Sequence, residues 1–238
     1  MKEVVISLTS WIKRIHLVNQ TIESILKNKL PLDTSLVIFM TLSTLEFPNK
    51  EIDLPENLLK LKNENKNIII NWVNTNYKGF KKLPEVVKAF YNKPNIILID
   101  IDDDYLYDLD FIETCLYYEK LYPNNAITAW YANGQIDGAT SITKPRFFKS
   151  NIWEDIQYGY DNCESQDIWT RVNLALTSTM TIDIQVFKNK RKQFHNIEPL
   201  WKHEPLEVDK RRFDAAIFYL SKIDPKYINI FWNFNLKL

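Results

Sequence analysis

Short apolar runs alternate with longer amphipathic segments along most of this sequence. The apolar runs are rich in β-branched residues and predict strands at residues 4–8, 35–41, 67–73, 96–99, 126–130 and 181–187. Segments with apolar residues at every third or fourth position predict helices at residues 15–27, 57–62, 84–90, 108–122, 167–176 and 209–221. Residues 131–150, with Gly134 and Gly138, predict a long loop at the active site. Strands that alternate with helices favour an α/β fold in three layers, with a mostly parallel central sheet between two layers of helices.

The composition narrows the class of protein. With 238 residues, 45% of them hydrophobic, the chain is long enough for one domain with a sizeable core. The formal net charge is zero, which gives no support to nucleic-acid binding. Cys115 and Cys163 lie in no metal-binding or disulfide pattern, and we expect them to be reduced thiols. We see no signal peptide and no apolar run of about 20 residues, so we expect a soluble, cytoplasmic protein.

The stretch IILIDIDDDY, residues 96–105, joins an apolar run to a group of acids. Asp100, Asp102, Asp103 and Asp104 follow a run that we expect to be buried on both faces of the sheet. Hard divalent cations prefer oxygen ligands, and ligands of α/β sheets bind at the carboxyl ends of strands. The stretch therefore predicts a metal-assisted site for a phosphorylated ligand. The alternative is a solvated acidic turn that caps the next helix.

The acidic stretch supports two chemical interpretations. Asp100-Ile101-Asp102 resembles the nucleophile motif of haloacid-dehalogenase-like phosphatases, with Asp100 as the nucleophile. In that family the motif lies on the first strand, whereas here three predicted strands precede it. Asp102-Asp103-Asp104 instead matches a DxD motif, in which the outer two carboxylates share a cation that bridges the diphosphate of a nucleotide.

Five blocks of the sequence resemble a bacterial family of glycosyltransferases that is associated with capsular, lipopolysaccharide or other surface glycans. The blocks are VISLTSWIKRI, YKGFKKLPEVVKAF, IILIDIDDDY, GATSITKP and CESQDIWTRV, and the resemblance covers roughly residues 4–176. It implies a GT-A-like, Rossmann-like fold in a single domain over residues 1–238. The nucleotide-binding half would span about residues 1–105, and the acceptor-binding, catalytic half about residues 106–238. The expected partners are a UDP- or GDP-linked sugar donor and a glycan or lipid-linked glycan acceptor.

The resemblance gives roles to the loop after the first strand and to a basic turn. Thr9 and Ser10 would meet the nucleoside and Arg14 a phosphate, because hydroxyls suit ribose or base edges and a guanidinium suits phosphate. Lys82 is the donor-site candidate in the basic turn at residues 78–82. The alternatives are helix capping by Thr9 or Ser10, and solvated side chains for Arg14 and the lysines.

The acidic stretch would bind the donor and its metal. By the same resemblance, Asp102 would approach the ribose or the metal, and Asp104 would ligate Mn²⁺ or Mg²⁺. Asp103 would serve the nucleoside, or else the backbone and helix capping. His195 and His203 are the candidates for a third metal ligand, although a lone histidine is more often a structural or surface residue.

Asp167 is the candidate catalytic base, near the start of a predicted helix. A base removes the proton from the acceptor hydroxyl as the oxygen attacks the anomeric carbon. A single base opposite the leaving group implies inversion at that carbon. Related sequences often have two adjacent acids here, whereas this chain has Gln166 before Asp167, with Glu164 as the fallback. The alternatives are helix capping by Asp167, and a nucleotide- or glycan-binding module that has lost catalysis.

Aromatic and basic residues lead to two further expectations. Trp130, Trp153 and Trp169 would stack on sugar rings, or else belong to the core. The basic runs at residues 188–192 and 210–212 would contact anionic phospholipid or a lipid diphosphate, or else form a solvated face. A membrane contact of this kind would place the enzyme at the inner face of the cell membrane.

Overall fold

The polypeptide follows the predicted alternation of strands and helices, with short elements added between them. The structure, a computed structural model, describes residues 2–129, 140–152, 154–194, 206–232 and 234–237. The strands there are Lys2–Thr9 (β1), Thr34–Ser43 (β2), Ile68–Val73 (β3), Ile96–Asp100 (β4), Tyr105–Tyr107 (β5), Ala126–Thr128 (β6), Ser141–Thr143 (β7), Thr181–Asp183 (β8), Arg191–Gln193 (β9) and Phe234–Lys237 (β10). The α-helices are Val18–Leu26 (α1), Glu56–Glu64 (α2), Lys82–Phe90 (α3), Phe111–Leu121 (α4), Ile156–Tyr158 (α5), Gln166–Leu176 (α6), Leu206–Ile223 (α7) and Lys226–Trp232 (α8). Short 3₁₀ turns lie at Lys50–Asp53, Lys78–Lys81, Pro145–Phe147 and Gln185–Lys190, and a π-helical turn lies at Gly159–Cys163.

One large sheet runs through the described part of the chain. Its eight strands lie in the order β3-β2-β1-β4-β7-β6-β8-β10. Strand β7 is antiparallel to both of its neighbours, whereas the other pairings in this sheet are parallel. The prediction of a mostly parallel central sheet is therefore confirmed.

Strand β1 shows why the sheet has helices on both faces. Val4, Val5 and Ile6 are completely buried, and successive side chains of a strand point to opposite faces. Val4 and Ile6 belong to one apolar cluster with residues of α1, α2 and α4, whereas Val5 belongs to another with residues of α3 and α6. Truncating a buried isoleucine such as Ile6 to alanine costs about 2–5 kcal/mol. The predicted three-layer α/β arrangement is thus confirmed.

Helix α1 connects the core to the acidic stretch. Its buried residues Val18, Ile22 and Ile25 recur at helical spacing and face the sheet. On the same helix, the hydroxyl of Thr21 donates to the carbonyl oxygen of Asp103 at 3.0 Å. The buried face of α1 therefore packs on the sheet and also holds the backbone of the acidic loop.

Several short elements differ from the sequence predictions. Residues 141–143 lie in the predicted loop but form β7, between β4 and β6. The strand predicted at residues 181–187 ends at Asp183 and gives way to a 3₁₀ turn. Helix α8 and strand β10 were not predicted. Strands β7 and β10 have only three and four residues and lie in no longer apolar run, so the hydrophobic pattern does not reveal them.

A second, two-stranded sheet covers the acidic stretch. Strand β5, directly after the four acids, pairs antiparallel with β9. Strand β9 lies in the basic run at residues 188–192 and just beyond it. Lys190 in this run forms an ion pair with Asp110 at 2.5 Å, and Arg191 donates to the hydroxyl of Thr140 at 2.9 Å. Lys190 and Arg191 in the basic run are therefore bound to other residues of the chain.

The described residues contain no helix with the length and apolar character required to span a membrane. Cys115 and Cys163 are buried free thiols, as expected. Burial raises the pKa of both, to about 12 for Cys163. Both thiols are therefore protonated core residues at neutral pH.

Candidate functional site

The acidic stretch lies at the carboxyl edge of the sheet, beside the loop after β1. Strands β1 and β4 are parallel neighbours, with Ser7 opposite Asp100. The amide of Ile101 continues this pairing by donating to the carbonyl oxygen of Ser7 at 2.9 Å. Because both strands end here, the loop at residues 9–14 and the acids at residues 102–104 come together.

Arg14 is enclosed by two of the acids. Its Nη2 lies 2.6 Å from Oδ1 of Asp103, and its Nη1 lies 2.8 Å from Oδ2 of Asp104. The hydroxyl of Ser10 donates to Oδ2 of Asp103 at 2.5 Å, and the amide of Gln193 on β9 donates to Oδ2 of Asp104 at 3.0 Å. A buried charge without a partner is costly, so these contacts are what allow the acids to be buried.

Burial sets the acidity of these two carboxyl groups. Removal from water raises the pKa of Asp103 to about 6, against the opposing effects of Arg14 and the Ser10 hydroxyl. Burial, reinforced by the charge of Asp102, also raises the pKa of Asp104. The charge of Arg14 only partly compensates for the loss of water around the pair.

Lys82 is the second cation of the site. It begins α3 and is buried, with its ammonium 3.3 Å from Oδ2 of Asp100 and 3.2 Å from Oδ1 of Asp102. It also donates to the carbonyl oxygen of Ile101 at 3.0 Å. Burial alone would lower the pKa of Lys82, but the carboxylates of Asp100, Asp102 and Asp167 outweigh it and raise that pKa. Lys82 is therefore a permanent positive charge among three acids.

Asp102 is the accessible acid of the group. Its side chain is 41% exposed, compared with 5% for Asp100, 2% for Asp103 and 7% for Asp104. The backbone amide of Asp102 donates to the hydroxyl of Tyr107 at 3.2 Å, which holds the loop in place. The sequence ranks Asp104 first as a metal ligand, whereas the structure exposes Asp102 to an incoming ligand.

Asp100 is buried beneath this loop. Its Oδ2 accepts a hydrogen bond from Nε2 of Gln166 at 3.1 Å in addition to the contact with Lys82. Its Oδ1 is buried and has no hydrogen-bond partner among the residues that the structure describes. Burial raises the pKa of Asp100 to about 6, although Lys82 opposes this shift. A carboxylate enclosed in this way is poorly placed to attack a phosphate from solvent.

Asp167 lies in the first turn of α6, next to this network. Ser165 caps the helix, and its hydroxyl accepts from the amide of Ile168 at 3.4 Å. The negative charge of Asp167 contributes to the raised pKa of Lys82. The neighbouring residue Gln166 contacts Asp100, which itself pairs with Lys82. Glu164, the fallback base, instead forms an ion pair with Arg211 at 2.7 Å.

Other predicted residues take structural positions. The hydroxyl of Thr9 donates to the carbonyl oxygen of Thr41 at 2.6 Å, so it stabilises the sheet edge. Trp169 is buried and packs against Tyr158 and Tyr219, which makes it a core residue and not a sugar platform. The remaining predictions concern Gly134, Gly138, Trp130, Trp153, His195 and His203, which lie outside the described residues.

The donor set suits a cation that keeps most of its ligands on phosphate and water. No cluster of three or more histidine, cysteine or acidic side chains that could hold a metal occurs in the described ranges. Mg²⁺ at nucleotide sites is bound by one or two carboxylates together with substrate phosphates. Asp102 offers an exposed carboxylate, and Arg14 and Gln193 both bind the same oxygen of Asp104, its Oδ2. Asp102 and Asp104 therefore fit such a role.

An open cleft of about 1160 Å³ lies beside the carboxyl ends of β2 and β3. Lys81, in the basic turn, belongs to its lining, whereas the neighbouring Lys82 contacts the acids. The cleft is lined by Thr44, Pro48, Lys50, Asn71, Trp72, Val73, Asn74, Thr75, Tyr77, Lys81, Pro84, Glu85, Lys88, Ala89 and Ile156.

Two contributors to the site carry no signal in the sequence. Gln193 follows a basic run without any motif, and it reaches Asp104 only because β9 pairs with β5. Tyr107 lies in a three-residue strand and supports Asp102 through its hydroxyl. Both depend on the pairing of two short strands that the hydrophobic pattern does not predict.

No family model matches the sequence, and no curated protein matches it. Among solved structures, residues 1–349 of S. aureus TarS in complex with UDP align with a TM-score of 0.46 and 12% identity, over 74% of this chain and 55% of that one. The mannosyltransferase PcManGT from Pyrobaculum calidifontis, in complex with GDP-Man and Mn²⁺, aligns with a TM-score of 0.46 and 10% identity, over 96% of this chain and 73% of that one. The chain thus spans about half the length of the TarS fragment. Similarities at these identities and TM-scores do not indicate the function of this chain.

Proposed function

We propose that this protein is a metal-dependent glycosyltransferase with a GT-A-like fold, which moves a sugar from a UDP- or GDP-linked donor to a surface-glycan acceptor. The observation that carries the proposal is the position of Asp102. This exposed acid lies at the carboxyl edge of the sheet, 3.2 Å from the buried cation Lys82, with Asp167 close enough to influence the same lysine. Acids that can hold a metal ion, a fixed cation and a separate carboxylate for proton removal are groups that can catalyse sugar transfer from a diphosphate.

The donor side of the site is built from charges that stay fixed. Lys82 remains protonated at any physiological pH because its pKa is raised. Its positive charge would offset the charge that grows on the departing nucleoside diphosphate. Asp102 and Asp104 would hold Mn²⁺ or Mg²⁺, which supplies Lewis-acid assistance to the leaving group when bound. Arg14 and Ser10 would then act mainly by holding Asp103 and Asp104 in position.

The acceptor side depends on Asp167. Its carboxylate would take the proton from the acceptor hydroxyl while that oxygen attacks the anomeric carbon. A single base on the side opposite the leaving group gives inversion of configuration. The acceptor is a glycan or a lipid-linked glycan, and the basic residues of the 188–192 and 210–212 runs that remain in solvent would favour contact with the inner face of the membrane.

The phosphatase alternative fits the geometry less well. Its nucleophile would be Asp100, whose side chain is buried and whose Oδ2 already accepts hydrogen bonds from Lys82 and Gln166. An activated nucleophile has to reach the phosphorus atom from the open side of the site. Asp102, which is accessible, is the more suitable group for a ligand.

The test is a panel of UDP- and GDP-sugars, assayed for release of the nucleoside diphosphate with and without Mn²⁺. We expect slow, metal-dependent donor hydrolysis by the wild type, and a loss of at least about 100-fold in Asp102→Asn. Asp33→Asn is the matched control, since Asp33 is an exposed acid before β2, at the opposite edge of the sheet. Equal rates for wild type and Asp102→Asn would reject the proposed role of Asp102. Nucleotide binding without turnover of any donor would instead indicate a binding module.

A further inference from the structure

Gln166 and Asp100 connect the catalytic helix to the strand that carries the acids. Nε2 of Gln166, at the first position of α6, donates to Oδ2 of Asp100, at the last position of β4, at 3.1 Å. Asp100 is buried, so the bond is shielded from water. Neutral amide donors to a buried carboxylate form hydrogen bonds of the stronger, charge-assisted kind.

The other end of the same amide lies against the basic turn. A Cβ atom built on Gly79 would lie 2.9 Å from Oε1 of Gln166, which is closer than real Cβ contacts. Glycine at position 79 therefore leaves the space that the amide oxygen occupies. The side chain of Gln166 thus lies between strand β4 and the turn that leads to Lys82.

The charges around Asp100 restrict what residue 166 can be. Oδ2 of Asp100 takes its hydrogen bonds from Lys82 and Gln166, and the one lysine already faces Asp102 as well. A glutamate at position 166 would have no proton to donate, and it would place another negative charge against a buried carboxylate. Two carboxylates in one buried site repel each other strongly. Two ionised carboxylates at positions 100 and 166 would therefore destabilise the site.

We propose that Gln166 is a positioning residue: its hydrogen bond to Asp100 fixes the start of α6 and thereby holds the next residue, Asp167, in place at the site. This role rests on the proposed transferase function, because Asp167 is the base of that reaction. The geometry also gives the pair a property of its own. The carboxylate can be moved from position 100 to position 166 if an amide takes its place, since one acid and one amide still face each other.

The test compares Gln166→Glu, Gln166→Met and the exchanged double variant Asp100→Asn/Gln166→Glu. Gln166→Glu places a second carboxylate beside Asp100. Gln166→Met keeps the length of the side chain but removes its hydrogen-bond donor. The double variant again has one amide donor and one carboxylate acceptor. Gln20→Glu, on the exposed side of α1, is the matched control for an added acid. Melting temperature and kcat are measured for each, with kcat expressed per nucleotide-binding site so that unfolded protein does not contribute.

We expect Gln166→Glu to lower the melting temperature and to reduce kcat by at least about tenfold, and Gln166→Met to reduce kcat with a smaller change in melting temperature. The double variant should recover kcat to within about threefold of wild type, because the hydrogen bond between residues 100 and 166 is restored. The donor KM should change by no more than about twofold in all of them, since the donor contacts are retained. Gln20→Glu should match the wild type.

Three outcomes would overturn the inference. The first is wild-type kcat in Gln166→Met, and the second is a double variant that is no more active than Gln166→Glu. The third is a wild type that turns over no nucleotide sugar, which would overturn the proposed function and the positioning role together. Melting temperatures distinguish this third outcome from the other two. They show whether the double variant restores the contact between residues 100 and 166 even when no activity can be measured.

Discussion

The ammonium group of the buried Lys82 lies 3.2 Å from a carboxylate oxygen of the exposed Asp102. The two partners of this ion pair have opposite environments, because the lysine is enclosed by the protein and the acid faces solvent. Removing one partner should therefore have a very different effect from removing the other.

Lys82→Met should be far more destabilising than Asp102→Asn. The lysine variant leaves Asp100 buried without its cation, and breaking a buried pair in this way costs about 3–5 kcal/mol. Removing the exposed partner should cost at most about 1 kcal/mol. Chemical denaturation measures both values, with the exposed Lys29→Met as the control. Equal losses in Lys82→Met and Asp102→Asn would show that Lys82 does not compensate the charge of Asp100.

Arg14→Met should also destabilise the protein, by about 3–5 kcal/mol, because Asp103 and Asp104 would lose the cation between them. Lowering the pH should partly restore the stability of this variant, because protonation of Asp103 and Asp104 removes their uncompensated negative charges. The neighbouring Lys13→Met is the control, because Lys13 is exposed. The measurement is the free energy of unfolding at neutral and at mildly acidic pH. A loss of stability that grows on acidification would contradict this account.

The ionisation of Asp100 should change how the free energy of unfolding depends on pH. Its pKa is about 6 in the folded protein, compared with an ordinary value of 3.8. The folded state therefore binds this proton more tightly than the unfolded state, so ionisation lowers the free energy of unfolding as the pH rises from about 4 to about 6, by up to about 3 kcal/mol. Asp100→Asn lacks this contribution, so its stability should fall less over that range. Denaturation curves for both proteins at several pH values provide the test, and parallel pH profiles would contradict it.

Gly79→Ala should reduce activity more than stability. The added methyl group would meet the amide oxygen of Gln166, which is the end of a flexible side chain and can move aside. We expect a kcat reduced by roughly threefold to tenfold with a change in unfolding free energy below about 1 kcal/mol. In a Gln166→Ala background the amide is absent, so adding Gly79→Ala should have no further effect on kcat. Independent effects in the two backgrounds would show that Gly79 acts through another contact.

The first four apolar runs could be predicted from the sequence because each is dominated by β-branched and aliphatic residues, which favour strands. Strands β1 to β4 follow these runs closely, and with them the position of the acids at a strand end. The order of the strands could not be predicted, since it depends on the insertion of the three-residue strand β7 between β4 and β6.

Within the site, residue types were easier to predict than their surroundings. The acids, Arg14 and Lys82 were all singled out, and the structure brings them together. The pattern could not show that Asp102 is the accessible acid, because exposure depends on Arg14 and Gln193 enclosing its neighbours. Position 166 is instructive too: an amide in place of an expected acid becomes understandable once Asp100 is seen opposite it.

The pairing of β9 with β5 has a consequence for how the protein matures on the ribosome. Gln193 and the backbone amide of Phe194 both bind Asp104, which is synthesised long before them. A nascent chain that has just produced the acidic stretch therefore carries an unfinished site, in which the Asp104 carboxylate lacks the Gln193 amide and the Asp104 carbonyl oxygen lacks the Phe194 amide. Binding of a nucleotide during synthesis would have to wait until the chain has grown past residue 194.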